Sequence, residues 1–260
     1  MIMTSNGQEL ISVILPAYNC EKTIEESIRS VLGQTYEKLE LIIVDDSSSD
    51  RTLELCRRLA WGDGRIRIIT NRSNLGRHFS RSEAAKEAKG EWLAFIDSDD
   101  LWDPVKLEKQ IKLRDDSECD IVYTASAFID DNGNRFDWIM HVPENVGYRR
   151  LLKQNIIFNS SVLVRAKDYI RYSPPPESGN GMHEDFVCWL GMLRAGHVAC
   201  GIDEPLITYR VSKRSATGNK LKASKLNMNT YRYLGLGIFE RLFYQSCYTV
   251  NGLRKYRHLR

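Results

Sequence analysis

Apolar residues in the first hundred positions form four short runs, separated by polar segments with helical periodicity. The runs cover residues 11–15, 39–44, 66–69 and 92–96, and each has the length and continuous apolar character of a strand buried on both faces. The first run stops at Pro16. Between the runs, residues 23–33, 51–59 and 76–89 have the spacing of amphipathic helices. This alternation predicts an α/β fold, a doubly wound, mostly parallel sheet with helices on both faces.

The alternation continues past residue 103 and loosens beyond about residue 140. A helix is predicted over residues 104–114, and strands over 121–128, 160–164 and 206–211. A turn at 130–134 favours a hairpin that returns through 136–140. A proline-rich loop at 174–181 leads into a helix over 182–193. We therefore predict one domain at 1–219, divided into 1–103 and 104–219, and an amphipathic helical tail at 220–260.

Ligands bind beyond the carboxyl ends of the strands in sheets of this kind. Three segments fall there: Pro16-Ala17-Tyr18-Asn19, Asp45-Asp46 and Asp97-Ser98-Asp99. Tyr18 could stack on a nucleobase, and an aspartate could accept a hydrogen bond from a base N–H. Neither GxGxxG nor GxxxxGK[ST] occurs, so neither a Rossmann dinucleotide site nor a P-loop is supported. The pattern favours a nucleoside diphosphate held through a metal ion.

The acidic segment at residues 97–100 has two interpretations. Three carboxylates within four residues repel one another, and a cation such as Mn²⁺ or Mg²⁺ relieves that repulsion because it takes oxygen ligands. The alternative is a polar turn that caps the helix after Pro104. A similar choice applies to His183-Glu184-Asp185, which precede an apolar helical pattern. These acids are either a general base with its neighbours or acids favoured by the helix dipole.

Composition is that of a water-soluble globular protein, with 42% hydrophobic and 27% charged residues. No apolar run approaches 18 residues, and the first ten residues lack the features of a signal peptide. The six cysteines are widely spaced without a CxxC pair, which predicts reduced cytoplasmic thiols and neither disulfides nor a zinc site.

Charge is distributed unevenly along the chain. From residue 206 to the end there are twelve Lys or Arg residues against one acid, a net +11, while the preceding residues carry −8. A basic amphipathic tail on an acidic body indicates either a helix packed on the domain or a helix on an anionic membrane surface. Lys213 and Arg214 are either phosphate-closing cations or a solvated basic turn.

Five ordered motifs carry a family resemblance: SVILPAYN, ELIIVDDSSSDRT, NLGRHFSR, EWLAFIDSDDLW and HEDFVCWLGML. Together they resemble the inverting nucleotide-sugar glycosyltransferases of family 2, with the GT-A fold. The later segment YRVSKRSATGNKLKAS and the tail resemble a bacterial branch that extends undecaprenyl-diphosphate-linked sugars for O-antigen, capsule or teichuronic-type polysaccharides. The resemblance makes 1–103 the nucleotide-binding half and 104–219 the acceptor-binding half.

The resemblance also implies roles for individual residues. It assigns a UDP-sugar pocket to Pro16, Ala17, Tyr18, Asn19, Asp46, Arg81, Asp97 and Ser98. Asp97 and Asp99 would hold Mn²⁺ or Mg²⁺, with Asp99 the direct ligand, and Asp185 would be the catalytic base. Glu184, His183 and Trp102 would lie near the acceptor. Ser82 replaces the family's Asn after Arg81, and Arg77-His78 stand where small residues are usual.

The implied reaction moves a hexose, UDP-Glc or UDP-Gal being favoured, onto a lipid-diphosphate-linked N-acetylhexosamine with a β bond. The implied partners are the UDP-sugar, the undecaprenyl-linked acceptor and the inner face of the cell membrane, where the cytoplasmic protein binds peripherally; nucleic acid is not one. The alternative is a non-catalytic UDP-sugar-binding or scaffold module of the same fold, which predicts loss of the acidic motif or the base. A nucleotidyltransferase would need a glycine-rich loop after the first strand, and a sugar hydrolase is disfavoured by the nucleotide pocket.

Overall fold

The computed structural model describes residues 9–211 and 220–256. Within these ranges the strands are β1 (Ile11–Ala17), β2 (Leu39–Asp45), β3 (Ile66–Thr70), β4 (Trp92–Phe95), β5 (Leu101–Trp102), β6 (Ile121–Asp130), β7 (Leu163–Arg165) and β8 (Ala199–Val211). The helices are α1 (Ile24–Leu32), α2 (Thr52–Gly62), α3 (Arg77–Glu87), α4 (Lys106–Asp116), α5 (Tyr148–Leu151), α6 (Ala166–Tyr172), α7 (Glu184–Arg194), α8 (Lys220–Tyr233) and α9 (Ile238–Tyr256). Short 3₁₀ turns occupy Asn159–Ser161 and Pro176–Gly181.

All strands join one sheet in the order β3-β2-β1-β4-β7-β6-β8-β5. Strands β1 to β4 are mutually parallel where they pair, and β6 is parallel to β8. Strand β7 is antiparallel to both of its neighbours, and β5 is antiparallel to β8. The predicted α/β sheet with helices on both faces is confirmed, and its antiparallel strands lie in the second half of the chain.

Both faces of the sheet are buried, which explains why the strands are continuous apolar runs. Ile14, Ile42 and Phe95 belong to the apolar cluster on one face. Their neighbours Val13, Ile43 and Ala94 belong to the cluster on the other face. Because successive strand residues point to opposite faces, each strand contributes to two cores at once.

The first strand extends beyond the predicted end at Leu15. β1 continues through Pro16 to Ala17, pairing with Val44 and Asp45 of β2. On its other side the pairing with β4 ends at Ile14. Pro16 is therefore at a position with a ladder on one side only, where a missing N–H is tolerated.

Other differences lie in the second half. β5 was not predicted, since two residues carry no periodic signal. β8 begins at Ala199, earlier than the predicted residue 206, because pairing with β6 continues across an irregularity beside Thr124 and Ala125. The predicted 136–140 strand is reduced to isolated bridges, Ser126 with Met140 and Ile129 with Arg135.

The prediction of fully reduced cysteines is wrong. Cys119 and Cys200 form a disulfide, with their Cα atoms 6.0 Å apart. Pairing of β6 with β8 brings Val122 opposite Cys200, and Cys119 is three residues before Val122. The two cysteines are 81 residues apart in sequence, so only the strand pairing reveals their proximity.

The tail is helical, as predicted, and α8 packs on the main body. Tyr231 is fully buried in the cluster that contains Ile14, and its hydroxyl donates to Leu152 O (2.8 Å). The division between 1–219 and 220–260 stays a prediction. Lys213 and Arg214 lie outside the described residues. No described helix is both long enough and apolar enough to span a membrane.

Candidate active site

A cavity of about 380 Å³ opens at the carboxyl ends of β1, β2 and β4. The residues that the sequence predicts for the site and that line this cavity are Pro16, Ala17, Tyr18, Asp46, Arg81, Asp97, Ser98, Asp99, His183, Glu184 and Asp185. They come from distant parts of the chain. The structure does not bring Asn19 or Trp102 to the cavity wall.

The sheet register brings the first of these segments together. Asp46 N donates to Ala17 O (2.8 Å), and Ile96 N donates to Ile14 O (3.1 Å). The carboxyl ends of β1, β2 and β4 therefore lie side by side, and the segments that follow them start close together. Tyr18 is 49% exposed at this edge, so its ring is free to receive a planar group.

The Asp46 carboxylate anchors the segment that leads into α3. Its Oδ1 accepts from Asn71 Nδ2 (2.7 Å) and Leu75 N (2.9 Å), and its Oδ2 accepts from Gly76 N (2.7 Å). Gly76 has a φ of +88°, a conformation that side chains disfavour. Because a carboxylate has about four acceptor positions, Asp46 retains capacity for one further donor at the cavity.

Asn19 connects the loop that follows β1 to the loop that follows β2. Its backbone N–H donates to Ser48 Oγ (3.1 Å), and its side-chain Oδ1 accepts from Ser49 N (2.8 Å). These bonds join the loop after β1 to the loop after β2. Asn19 therefore supports the cavity rim from behind.

Arg81 connects the two acidic motifs. It is 2% exposed, and its guanidinium donates to Asp97 Oδ1 and, at 2.9 Å, to Glu184 Oε1. Arg77 Nε lies 3.6 Å from the same Glu184 oxygen. Burial alone would raise the pKa of Asp97 and Glu184, but the two arginines hold each pKa below its ordinary value.

Asp99 differs from Asp97 in having no ion-pair partner among the described residues. Burial, and then the charge of Asp97, raise the pKa of Asp99 to about 6. Asp100 is fully buried behind it and accepts from Ser160 Oγ and from Arg210 N (3.1 Å). Burial and the neighbouring aspartates raise the pKa of Asp100 as well.

The donor set at Asp97 and Asp99 fits a hard divalent cation. Both side chains line the cavity, and both offer carboxylate oxygens. One carboxylate oxygen of Asp97 accepts a hydrogen bond from Arg81, and the second oxygen remains available for a metal ion. Burial and the neighbouring charge of Asp97 disfavour the ionised form of Asp99, and a bound cation would stabilise that form.

Asp185 lies in the first turn of α7 and lines the same cavity as Tyr18 and Asp46. Its Oδ1 accepts from the N–H of the next residue, Phe186 (2.8 Å). Burial, followed by the charge of Glu184, raises the pKa of Asp185. His183, also in the wall, donates its backbone N–H to Thr230 Oγ1 (3.1 Å) and so ties α7 to α8. A buried carboxylate with a raised pKa is suited to accept a proton.

Trp102 lies behind the acidic motif and outside the cavity wall. It is 4% exposed, its Nε1 donates to Ser160 O (2.9 Å), and Lys106 Nζ lies 3.8 Å from its ring centre. Ser160 Oγ in turn accepts from Asp97 N (3.1 Å). The geometry therefore gives Trp102 a positioning role, because Trp102 fixes Ser160 and Ser160 fixes the backbone at Asp97.

Several cavity residues were not predicted: Arg77, Phe128, Asn155, Phe158, Asn159, Ser160, Tyr209, Val211 and Tyr248. The sequence did mark Arg77 as unusual, because this large cationic residue stands where the family usually has a small one. The rings of Phe158 and Tyr209 stack with centroids 5.2 Å apart. Tyr248 comes from α9, so the tail contributes to the cavity wall. The sequence analysis did not single out Tyr248.

Comparison with known proteins identifies the family. The family model described as Glycosyl transferase family 2 matches residues 12–171, more than half of the chain. WfgD of Escherichia coli, a UDP-Glc:alpha-D-GlcNAc-diphosphoundecaprenol beta-1,3-glucosyltransferase, is 33% identical over 251 residues, covering 95% of each chain. TuaG of Bacillus subtilis (strain 168), whose name provisionally assigns it to teichuronic acid biosynthesis, is 32% identical, covering 96% of this chain and 99% of TuaG.

Solved structures agree on the fold. The chain resembles S. aureus TarS in complex with UDP-GlcNAc with a TM-score of 0.66 at 21% identity, covering 89% of this chain and 69% of that one. It resembles the mannosyltransferase PcManGT from Pyrobaculum calidifontis, in complex with GDP-Man and Mn²⁺, with a TM-score of 0.68 at 19% identity, covering 87% and 64%. Both are GT-A glycosyltransferases. The chain therefore belongs to glycosyl transferase family 2, with the GT-A fold, among relatives that make bacterial surface polysaccharides.

Proposed function

We propose that this glycosyltransferase moves a hexose from a UDP-sugar onto an N-acetylhexosamine linked to a lipid diphosphate, with inversion at the sugar carbon. The observation that carries the proposal is the single cavity that joins Tyr18 and Asp46, the Asp97/Asp99 pair and Asp185. One basic carboxylate opposite a diphosphate-type site suffices for a single displacement. The named activity of WfgD supports the lipid-linked acceptor.

In this proposal the part of the cavity wall formed by Tyr18 and Asp46 binds UDP. Tyr18 would stack on the uracil ring, and the remaining acceptor capacity of Asp46 would receive a base N–H. Of the two arginines in the described cavity wall, Arg77 is the one that can approach the diphosphate, because its side chain is half-exposed and its contact with Glu184 is longer, whereas Arg81 is committed to two carboxylates. Asp97 and Asp99 would hold Mn²⁺ or Mg²⁺, which supplies neutralisation of the charge that develops on the leaving diphosphate.

The chemical step uses Asp185 as general base. The carboxylate takes the proton of the acceptor hydroxyl as that oxygen bonds to the anomeric carbon on the face opposite UDP. The bond from that carbon to the diphosphate oxygen breaks, and UDP leaves with the electron pair. An α-linked donor thus gives a β-glycoside, and no second carboxylate is needed as a nucleophile.

The lipid acceptor requires the cavity to meet a membrane surface, and α9 has a face suited to this. Besides Ile238 at its start, five exposed apolar side chains of α9 form one stripe: Phe239, Leu242, Phe243, Val250 and Leu253. Tyr248 lies on the other side of the helix, in the cavity wall. We infer that α9 lies on the membrane with this stripe inserted and brings the cavity to the acceptor headgroup.

A donor screen tests the proposal. Purified protein, Mn²⁺ and a synthetic lipid-diphosphate N-acetylglucosamine would be incubated with UDP-Glc, UDP-Gal, UDP-GlcNAc or UDP-GalNAc. We expect transfer from UDP-Glc or UDP-Gal, its loss with chelator, and nearly complete loss in Asp99→Ala. Binding of UDP without transfer from any of the four donors would favour the non-catalytic alternative. Full activity in chelator would refute the role of Asp99.

A further inference from the structure

Two aspartates and one histidine meet at the opposite edge of the sheet from the cavity. Asp120 immediately precedes β6, Asp168 belongs to α6, and His197 lies in the turn between α7 and β8. One ligand atom from each residue lies within 4.8 Å of the other two. We propose that these three side chains form a binding site for a divalent transition-metal ion, with Zn²⁺ as the reference ion. The proposal is independent of the transfer reaction.

The position of this cluster separates it from the acidic motif. The parallel strands β6 and β8 begin together, with Ile121 opposite Ala199. β7 ends opposite Trp92, the first residue of β4. The cluster therefore lies at the amino ends of β4, β6 and β8, whereas Asp97 and Asp99 follow the carboxyl end of β4. A metal bound at one edge is distinct from a metal bound at the other.

Asp168 is the residue that points to a ligand. It is 7% exposed, and its carboxylate forms no hydrogen bond or ion pair within residues 9–211 and 220–256. Mostly buried carboxylates are normally paired or coordinate a metal. The Asp168 oxygens are not among the fully enclosed unpaired atoms, so an ion can reach them from solvent. A cation in the space between Asp168, Asp120 and His197 would give the Asp168 carboxylate a partner.

The other two side chains already face each other at a suitable distance. His197 Nδ1 lies 3.2 Å from Asp120 Oδ2, and that oxygen also accepts from Val198 N (3.0 Å). Two ligands on one Zn²⁺ ion, each about 2.0–2.2 Å from it, lie about 3.0–3.5 Å apart. The Tyr172 ring packs edge-on against the imidazole, with centroids 5.3 Å apart, and so limits its rotation.

Charge and ligand type favour a transition metal. Two carboxylates and a neutral imidazole carry −2, which a divalent ion neutralises. The ring nitrogen suits Zn²⁺ or Mn²⁺ better than Ca²⁺, which takes oxygen ligands. The Asp120 and His197 side chains are 31% and 21% exposed, so an ion can enter from solvent and keep water in its remaining positions.

The proposed ion would join α6 to the start of β6 and the turn before β8. The Cys119–Cys200 disulfide joins the beginnings of the same two strands. The chain also contains a matched control in His141 and Asp203. His141 Nδ1 lies 3.0 Å from Asp203 Oδ2, and Asp203 Oδ1 accepts from Val142 N (2.9 Å). Among the described residues this pair has no third ligand group.

Zn²⁺ binding to the full chain, measured by calorimetry without nucleotide, tests the proposal. We expect one Zn²⁺ site that Asp99→Ala and Asp203→Asn retain. Asp168→Asn and His197→Gln should each weaken that site by more than about 10-fold, since even residues behind a ligand contribute that much. Saturating Zn²⁺ should raise the unfolding midpoint of the wild type by about 5 °C and leave that of Asp168→Asn unchanged.

Asp168→Asn should fold, because Asp168 has no hydrogen bond to lose, and circular dichroism of the metal-free variant checks this. His197→Gln, at a partly exposed position, gives the same test if the first variant is unstable. Unchanged Zn²⁺ affinity in both variants would overturn the proposal. So would equal weakening in Asp203→Asn, or loss of the only Zn²⁺ site in Asp99→Ala.

Discussion

Arg81 balances the charges of two carboxylates that approach the cavity from opposite halves of the chain. Burial alone would lower the pKa of its guanidinium, but Asp97 and Glu184 raise it, so the group stays protonated. Removing one member of a buried ion pair leaves the other uncompensated. The residue is therefore expected to matter for stability as well as for activity.

We predict that Arg81→Met lowers the free energy of unfolding by about 3 kcal/mol, because it leaves Asp97 without its ion-pair partner and Glu184 with only the more distant Arg77. Urea unfolding at neutral pH measures this. Arg77→Met is the matched control: Arg77 is 51% exposed in its side chain, so its loss should cost no more than about 1 kcal/mol. Adding Glu184→Gln to Arg81→Met should restore part of the loss. Equal stabilities of the two arginine variants would contradict the bridging role.

Asp185 is expected to act through its unprotonated form. We predict that Asp185→Asn lowers kcat by roughly 10²–10⁴, the usual contribution of a general base, with little change in UDP affinity. Glu184→Gln is the neighbouring comparison, and it should retain more activity. An active Asp185→Asn together with an inactive Glu184→Gln would assign the base to the other residue.

The pH dependence of the wild type follows from the raised pKa of Asp185. Burial and the charge of Glu184 raise that pKa, so protonation begins at a higher pH than for an ordinary carboxyl group. Because the base must be unprotonated, kcat should fall as pH falls through this raised value. A pH–kcat profile at saturating substrates would show an acid limb above pH 3.8, the ordinary value for aspartate. A flat profile down to that value would contradict the assignment.

Sequence reasoning succeeded for residues whose position follows from the end of a strand or helix. Asp46, Asp97 and Asp185 are of this kind, because parallel strands release the chain at one edge. It did not predict the burial of Trp102: the ring is enclosed, and its Nε1–H donates to Ser160 O. The sequence also did not predict the ion pairs of Arg81, because Arg81 and Glu184 are 103 positions apart in the chain.

Among the elements, α9 has two different faces. Phe239 is 84% exposed and belongs to the apolar stripe, whereas Tyr248 turns toward the cavity. The sequence predicted the amphipathic helix and left open whether it packs on the domain or binds a membrane. In the structure α8 packs, and α9 packs on one side only. The basic residues Arg257 and Arg260 lie outside the described residues.

We predict that Phe239→Ser combined with Phe243→Ser releases the protein from anionic vesicles, because each buried apolar side chain contributes about 1.5–3 kcal/mol on transfer from water. Vesicle sedimentation measures the bound fraction. Transfer to a long-chain lipid acceptor should slow, and transfer to a short-chain soluble acceptor should not. Trp61→Ser is the control, since Trp61 is 95% exposed on α2, outside the stripe. Unchanged sedimentation of the double variant would remove α9 from the membrane proposal.

The elements that sequence analysis missed depend on pairing between distant segments. β5 and the first part of β8 are strands only because β8 and β6 offer them partners. The disulfide between Cys119 and Cys200 depends on the same pairing. By contrast, β1 to β4 and α1 to α3 were predicted nearly residue by residue. Their apolar periodicity is local, and both faces of the sheet are buried.

At the scale of the whole molecule, the cavity lies where the two halves of the chain meet. The first half supplies Tyr18, Asp46 and the acidic motif, and the second supplies Asp185 on α7. Transfer with a base on one side of the sugar and a diphosphate site on the other requires this arrangement. In the proposed mechanism it also determines the stereochemistry, since attack from the side of Asp185 would displace UDP from the opposite face.

The anomeric configuration of the product separates this mechanism from its alternatives. Wild-type enzyme would be incubated with the α-linked donor that proves active and with the lipid-diphosphate N-acetylhexosamine acceptor, and the new bond would be assigned by NMR. A single displacement with Asp185 as base predicts a β-glycosidic bond, formed at a rate that falls at least about 100-fold in Asp185→Asn. An α-glycosidic product would contradict the mechanism, because it requires a second displacement or attack from the side of the leaving group.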